Sequence, residues 1–485
     1  MTGMRPNVPK SLGVHADTGA GLDEVADHDL EILARKLVQT AAPSHKLLKK
    51  TGVPRLDADY YDPRSLADTG WAVLFGPHVT QRVKDALRPL LDHRRNQVNN
   101  DVLFKVFDGP DAYIPGETAA EWLERRSVPM SDVVPLNGVP FYVMIVASPH
   151  DIPFEFQYGL DLYWGVGRLW FSSPEEFAQY SMSVVTYEIS KELSTTKQMA
   201  VYATCNEGDE ATHILTEVLA KPMVYGTATN KPFGQQHGWN IVPYIEGAAT
   251  KAALVDICAG KVPNGPPAII FTGSHGMVFR SGDHRQKSQQ GAIITQEWKA
   301  GGAPTRDQYF AAADLPSTPR IHGLIHILFC CYGGGWPQHD SYVLADQPPE
   351  VGPRPRVARL PQAMLADPHG GALAVVAHVD RVWSMTFDQT EHEAHVNGFQ
   401  AVLERIMSGD RIGHATDRFN QHWASLSNDL SHALGRKNPN PSELKNKWLA
   451  RDNTRNFVLY GDPAVRIRVG GLKSVVPASA IQSVP

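Results

Sequence analysis

The sequence predicts an α/β fold in which a largely parallel β-sheet is covered by helices on both faces. Short apolar runs alternate with amphipathic stretches, and each run ends in small or polar residues. Strands that are apolar on both faces are typical of parallel sheets that are buried on both sides. The composition, 42% hydrophobic and 20% charged over 485 residues, provides ample core for two or three domains.

The first 65 residues are predicted to form a partly helical N-terminal extension. Residues 1–30 are rich in Gly, Asp and Pro without periodicity, so we expect a mobile arm there, whereas residues 28–42 carry apolar residues at helical spacing. Residues 66–190 are expected to form a smaller α/β subdomain. It opens with a buried strand in "GWAVLFG", followed by an amphipathic helix in "HVTQRVKDALRPLLDHRR", and it includes a second strand within residues 139–149.

A larger α/β domain is predicted over residues 191–470, followed by a peripheral tail at 471–485. Its strands are expected in "KQMAVYATC", "GPPAIIFTGSHG", "RIHGLIHILFCC" and "GGALAVVAHVD", with a helix in "DEATHILTEVLAK". Ligands of parallel sheets bind at the carboxyl ends of the strands. The loops that follow Ile270 and Leu328 are therefore the expected places for chemistry.

Charge, cysteine count and hydropathy limit the class of protein. A net charge of −5 gives no electrostatic reason to expect nucleic acid or an anionic membrane as partner. Four cysteines are too few for a disulfide framework and lack zinc-finger spacing. The sequence shows neither a signal-peptide pattern nor an apolar run of eighteen residues. We therefore expect a soluble cytoplasmic protein without a cofactor or metal.

Two strand ends carry a base and a thiol. One strand delivers His275 and Gly276, and the other delivers Cys330, Cys331 and three glycines. An imidazole beside a thiol can hold it as the nucleophilic thiolate. Glycines let backbone N–H groups approach a reacting carbonyl, as an oxyanion hole requires. Side chains alternate along a strand, so only one of the two cysteines faces the site.

This pattern resembles the caspase-like cysteine peptidases, which include caspases, separase, gingipains and CHAT domains. His275 and Cys331 are 56 positions apart (331 minus 275), and Cys330 stands where these families have a small buried residue. The resemblance implies that Cys331 is the nucleophile and His275 its partner. The N–H groups of Gly276 and Cys331 would form the oxyanion hole. It also implies a three-layer sandwich preceded by a smaller α/β subdomain.

The resemblance to gingipains extends over about residues 70–470. It rests on residues 145–188, with an "IP" turn and a Gly-Arg strand, and on the Gly-Asp-Pro motif in residues 456–469. The aspartate before the gingipain Gly-Arg strand binds the P1 arginine, and Asp161 stands in the matching place. The resemblance therefore implies cleavage after Arg and, less well, after Lys. Asp462 in the Gly-Asp-Pro motif is expected to be a turn residue.

Other candidate residues have structural alternatives. Trp336 is a candidate wall of a substrate subsite, with core packing as the alternative, and Glu155 is a candidate for orienting His275. Arg280 and Arg285 are either solvated charges or alternative pocket residues. Histidines within or beside apolar strands are more often core residues than metal ligands. We therefore expect a core role for His322, His326 and His378.

The leading functional prediction is a regulated cysteine endopeptidase that cleaves a few protein substrates in signalling or cell death, with a possible activator or partner protein. The alternative is a catalytically silent scaffold that binds a partner through the N-terminal extension. A thiol redox enzyme using Cys330 and Cys331 is disfavoured, because vicinal cysteines form a strained ring and the sequence has no CxxC motif.

Overall fold

The computed structural model describes residues 10–22, 61–130, 133–343, 348–383, 392–436 and 440–475. The helix expected at residues 28–42 and most of the C-terminal tail lie outside these ranges. In the described part of the chain no helix is long and apolar enough to cross a membrane.

Sixteen strands are present in the described residues, and six of them coincide with the apolar runs named above. They are β1 (Gly13–His15), β2 (Trp71–Phe75), β3 (Phe104–Phe107), β4 (Tyr142–Val146), β5 (Gly165–Leu169), β6 (Thr196–Ala203), β7 (Asn240–Ile245), β8 (Pro267–Gly273), β9 (Gly276–Val278), β10 (Ile293–Ile294), β11 (Tyr309–Phe310), β12 (Ile325–Phe329), β13 (Gly335–Trp336), β14 (Arg356–Val357), β15 (Ala374–His378) and β16 (Phe457–Gly461).

The helices lie between these strands, singly or in consecutive groups. They are α1 (Leu66–Thr69), α2 (Gln81–Ala86), α3 (Arg88–Val98), α4 (Ala119–Glu124), α5 (Phe154–Asp161), α6 (Pro174–Ile189), α7 (Glu210–Leu215), α8 (Lys221–Tyr225), α9 (Phe233–His237), α10 (Lys251–Cys258), α11 (Gln286–Gln289), α12 (Arg359–Leu365), α13 (His392–Met407), α14 (Ile412–Leu434) and α15 (Pro441–Arg455). A π-helical turn joins α7 to α8.

One ten-stranded sheet forms the centre of the molecule, in the order β3-β2-β4-β5-β16-β15-β12-β8-β6-β7. The strands β2, β4, β5, β8, β12 and β15 are buried at every residue, because helices cover both faces. The predicted α/β class with a mostly parallel sheet is therefore confirmed. Four strands from residues 66–190 and six from later residues make this one sheet.

Long-range contacts establish which strand ends share an edge of the sheet. Trp71 begins β2, and its indole N–H donates a hydrogen bond to Oδ1 of Asp462 at 2.9 Å. Asp462 follows Gly461, which pairs with Ala374 at the amino end of β15. Because Trp71, Tyr142 and Gly165 stand in register, the amino ends of β2, β4 and β5 lie at that same edge. The carboxyl ends of β8, β12 and β15 lie at the other.

A second, four-stranded sheet has the order β1-β9-β10-β11 and lies beyond the carboxyl end of β8. Its edge strand β1 comes from the N-terminal extension and runs parallel to β9. The expectation of a mobile arm is thus wrong for residues 10–22. Val14 and Ala16 supply the reason, because they are buried in an apolar cluster with Met277, Phe279 and Trp298.

Candidate active site

His275 and Cys331 leave neighbouring strands at the same level. Gly273 at the end of β8 pairs with Phe329 at the end of β12, so each candidate residue lies two positions beyond a paired residue. Gly276 packs directly on the chain at Cys331, where a Cβ would lie 1.9 Å from the Cys331 carbonyl oxygen. Only glycine permits this approach. The structure therefore places the two residues that the sequence singles out at one edge of the sheet.

Asp209 is a further polar residue beside His275 that was not expected from the sequence. Its Oδ2 lies 2.9 Å from Nε2 of His275. Asp209 follows β6 and caps α7, where the backbone N–H of Thr212 donates to Oδ2 at 2.9 Å. Burial favours a higher pKa for Asp209, but the imidazole and Thr212 outweigh it and hold this pKa well below its usual range. The carboxylate is therefore ionised beside the ring.

The position of Asp209 fixes the orientation of the imidazole. With Nε2 facing the carboxylate, Nδ1 is left buried and has no hydrogen-bond partner among the described residues. A ring held in this way presents Nδ1 for proton transfer. Glu155, the candidate from the sequence, is instead an exposed residue in the first turn of α5. The signal for Asp209 was present in "TCNEGDEATH", a polar run directly after a buried strand.

The thiol of Cys331 is enclosed. The residue is fully buried, and its Sγ accepts the backbone N–H of Val382 at 3.0 Å and lies 3.3 Å from the hydroxyl of Ser11. Burial raises the pKa of this thiol to about 12, and the contacts with Ser11 and Val382 only partly offset the effect. In this arrangement the thiol is protonated at neutral pH. The sulfur of Cys330 points elsewhere, toward the carbonyl of Gly291 at 3.7 Å.

The two predicted oxyanion donors converge on one carbonyl oxygen. The N–H groups of Gly276 and Cys331 donate to the oxygen of Leu12, at 3.0 and 3.1 Å. Just after Cys331 the chain turns through Tyr332, whose φ of 57° is unusual for a residue with a side chain. The Tyr332 N–H donates to the Asp380 carbonyl at 3.1 Å, which stabilises this turn. Two N–H groups aimed at one oxygen match what a tetrahedral intermediate requires.

Asp161 is not brought to this site. It ends α5 and is only 7% exposed, and its Oδ1 accepts the N–H of Val166 in β5 at 3.0 Å. Val166 belongs to the amino end of β5, at the edge of the sheet opposite to that of Cys331. Burial raises the pKa of Asp161 to about 8, against the smaller opposing effect of the Val166 N–H. A protonated carboxyl at this edge therefore cannot line the floor of a substrate pocket beside Cys331.

Trp336 is a core residue in this structure. It is 1% exposed, it pairs with Arg356 across β13 and β14, and its ring packs against Gly352. The three histidines of the apolar strands are likewise bonded within the protein. His322 contacts the Ser183 carbonyl, His326 the Thr272 hydroxyl, and His378 the backbone of Asp380 and Asn453. Among the described residues no group of three His, Cys, Asp or Glu side chains is placed to hold a metal ion.

Comparison with known proteins gives one family for most of the chain. The model of peptidase family C25 matches residues 79–468. No curated protein matches the sequence at a significant level. Solved structures similar to this one include the Arg-specific cysteine proteinase gingipain R, with a TM-score of 0.49 and 13% identity over 83% of this chain and 79% of that one. Another is a complex of gingipain pro- and mature domains from Porphyromonas gingivalis, with a TM-score of 0.48 and 13% identity over 82% and 80% of the two chains.

Proposed function

Since the chain belongs to peptidase family C25 and is therefore a cysteine peptidase, we propose that it is an endopeptidase whose nucleophile is Cys331, with His275 as the base and Asp209 as the residue that positions His275. The observation that carries this proposal is the convergence of the Gly276 and Cys331 N–H groups on one peptide carbonyl, beside the thiol. Family membership favours this function over a silent scaffold.

The chemistry follows from the positions of these groups. Nδ1 of His275 accepts the thiol proton as Sγ of Cys331 adds to the substrate carbonyl carbon. The oxyanion is stabilised by the N–H groups of Gly276 and Cys331. His275 then returns the proton to the leaving amine, and water hydrolyses the thioester. Asp209 holds the ring and stabilises the imidazolium that forms between these steps.

The side chain preferred at P1 depends on the residues that surround the P1 position. The preference for Arg or Lys rested on Asp161, and that support is lost because Asp161 lies at the opposite edge of the sheet. The peptide carbonyl between the two oxyanion donors belongs to Leu12, whose side chain is fully buried. We therefore propose an apolar P1 residue in place of a basic one.

The cellular role remains the proposal made from the sequence: regulated cleavage of a few protein substrates in a reducing, cytoplasmic compartment. Two observations support it. All four cysteines are free thiols, as expected in a reducing compartment. The thiol of Cys331 is covered by residues of the same chain, which is a suitable starting state for an enzyme that is switched on.

The two adjacent cysteines provide a matched test. Cys331→Ala should abolish peptide hydrolysis, with a loss of several orders of magnitude in kcat, as expected when a covalent nucleophile is removed. Cys330→Ala should keep most of the activity, because its sulfur faces Gly291. The measurement is kcat/KM on a mixed peptide library, with circular dichroism to verify folding. A folded but inactive Cys330 variant beside an active Cys331 variant would contradict the proposal.

A further inference from the structure

The segment Ser11–Leu22 occupies the candidate active site in the manner of a substrate. Ser11 forms an antiparallel bridge with Trp383, and the Leu12 N–H donates to the Val382 carbonyl at 2.8 Å. The Leu12 carbonyl then enters the oxyanion hole, as described above. These are the backbone contacts expected of residues P2 and P1 of a bound peptide, because they hold the scissile carbonyl beside the nucleophile.

The chain continues past the thiol in the direction of a substrate's leaving group. Gly13 lies against the sulfur, so that a Cβ at this position would be 2.9 Å from Sγ of Cys331. Residues Gly13–His15 then pair in parallel with Gly276–Val278. The bond between Leu12 and Gly13 therefore lies where a scissile bond would. A glycine is required next to the sulfur, since any larger residue would contact it.

The rest of the segment is fixed by charge and by apolar packing. Asp17 lies at the hairpin turn and accepts from the Arg285 guanidinium at 2.9 Å, and Arg280 approaches the same carboxylate at 3.4 Å. Of the two roles expected for these arginines, solvated charges or pocket residues, neither describes this contact with the N-terminal segment. After the turn, the Leu22 N–H donates to the Gly13 carbonyl at 3.2 Å, and Leu22 packs on Gly13. Both ends of the segment are thus held in register with the catalytic groups.

From this geometry we propose, resting on the function proposed above, that the enzyme cleaves its own Leu12–Gly13 bond and that its cleft selects substrates with leucine at P1 and glycine at P1′. The sulfur of Cys331 forms a thioester with Leu12 while the Leu12–Gly13 bond breaks. Gly13 leaves as an amine with the proton carried by His275. Water then hydrolyses the thioester, which gives a Leu12 carboxylate and restores the thiol.

The buried surroundings of Leu12 explain the selectivity. The Leu12 side chain is fully buried, and it belongs to the main apolar core of the molecule. Placing an arginine there would desolvate a guanidinium without a carboxylate from Asp161 to pair with it. The same enclosure keeps the Cys331 thiol away from solvent until the segment is cut. Self-cleavage is then the step that frees the cleft.

The test of self-cleavage uses the full chain. The wild type should give a fragment that begins at Gly13, detected by N-terminal sequencing and intact mass, whereas Cys331→Ala should remain whole. Leu12→Arg should slow the cleavage at least about tenfold, because the charge enters an apolar pocket. Ala20→Arg is the matched control, since it adds the same charge at an exposed position of the same hairpin. It should cleave at the wild-type rate.

A second arm measures specificity in solution. Peptides with the sequence of residues 8–17 and Leu, Arg, Lys or Asp at the position of Leu12 should be cut with kcat/KM highest for Leu, by at least about tenfold. A wild type that stays intact, or a preference for Arg, overturns the inference. If Cys331-dependent hydrolysis of the mixed library persists in that case, the proposed endopeptidase stands. If no peptide is hydrolysed, both the self-cleavage and the proposed endopeptidase function are excluded.

Discussion

At the scale of single residues, the Asp209 carboxylate fixes the orientation of the His275 imidazole. It contacts Nε2 of His275 at 2.9 Å and also caps α7 through Thr212. One side chain therefore links a helix end to the imidazole. The cap anchors the carboxylate, and the anchored carboxylate holds the ring with Nδ1 free for proton transfer.

The substitution Asp209→Asn tests this link while keeping an oxygen for the helix cap. We expect kcat to fall by roughly 10²–10⁴-fold, because an amide cannot stabilise the imidazolium and can favour the wrong tautomer. The melting temperature at pH 7 should fall only modestly, because the favourable contact of the carboxylate with His275 is lost while asparagine still caps α7. The measurement is the pH profile of kcat/KM beside thermal unfolding. A variant with the wild-type profile would exclude Asp209 from positioning His275.

At the scale of elements, α5 runs back along the sheet from the carboxyl end of β4 and ends beside the amino end of β5. Asp161, the last residue of α5, accepts the N–H of Val166 in β5 and so fastens the helix to the following strand. The Gly-Arg motif is likewise structural in this protein. Arg168 is fully buried, and its guanidinium donates to Gln157 and to the Ala147 carbonyl. Asp161 and Arg168 thus fasten α5 to β5 by hydrogen bonds.

The raised pKa of Asp161 gives a prediction for stability. The folded-state pKa of about 8 lies above the ordinary carboxyl value of 3.8, so the folded state binds the proton more tightly. The contribution of Asp161 to the free energy of unfolding should therefore decrease as the pH rises from about 4 to about 8. Asp161→Asn cannot ionise and should lose this dependence, being relatively more stable than the wild type at pH 8 than at pH 5. The measurement is urea unfolding of both proteins at pH 5 and pH 8. An equal change in the free energy of unfolding for the variant and the wild type would contradict a raised pKa of Asp161.

At the scale of the whole molecule, a buried ion network joins the early and late parts of the chain. Arg94 of α3 pairs with both oxygens of Glu188 in α6, at 2.6 and 2.7 Å, and its Nε donates to Asp462 at 2.6 Å. Asp462 does form the expected turn, since its Oδ1 accepts the N–H of Ala464. It is also fully buried and bonded to Trp71. The Gly-Asp-Pro motif therefore connects β16 with the first strands of the sheet.

Removing one charge of this network should destabilise the fold. Burial favours a higher pKa for Glu188, but Arg94 outweighs it and holds this pKa well below its usual range. The resulting stability is present above about pH 4.5 and is lost as the pH falls below that value. Glu188→Gln should lower the free energy of unfolding at pH 7 by roughly 3 kcal/mol, because Arg94 keeps only Asp462 as a charged partner.

Urea unfolding at pH 7 and pH 4 measures this effect. The variant should show a smaller loss between the two values than the wild type does. Glu175→Gln is the matched control, because the pair of Glu175 with Arg82 is exposed and should contribute nothing measurable. Equal stability of the Glu188 variant and the wild type at pH 7 would show that the network does not hold the two parts together.

Local sequence was sufficient to predict six central strands of the large sheet and to propose the base and the thiol. Apolar runs such as "AIIFT" and "IHILF" predict buried strands. The residues that follow them therefore lie at the edge of the sheet where these strands end. The spacing of His275 and Cys331 relative to these runs therefore placed both at one edge. The same spacing gives the two proposed oxyanion donors, the N–H groups of Gly276 and of Cys331 itself.

Only the tertiary structure decided which distant residues complete the site. Asp209 is 66 positions from His275, and Ser11 is 320 positions from Cys331, so no local pattern joins them. The N-terminal segment has too few apolar residues to predict a strand, and it becomes one because β9 offers an unpaired edge and an apolar cluster. Asp161 is a case in which a local motif predicted the wrong location. A residue that precedes the right motif lies at the wrong edge, because a helix that returns along the sheet ends at the amino end of the next strand.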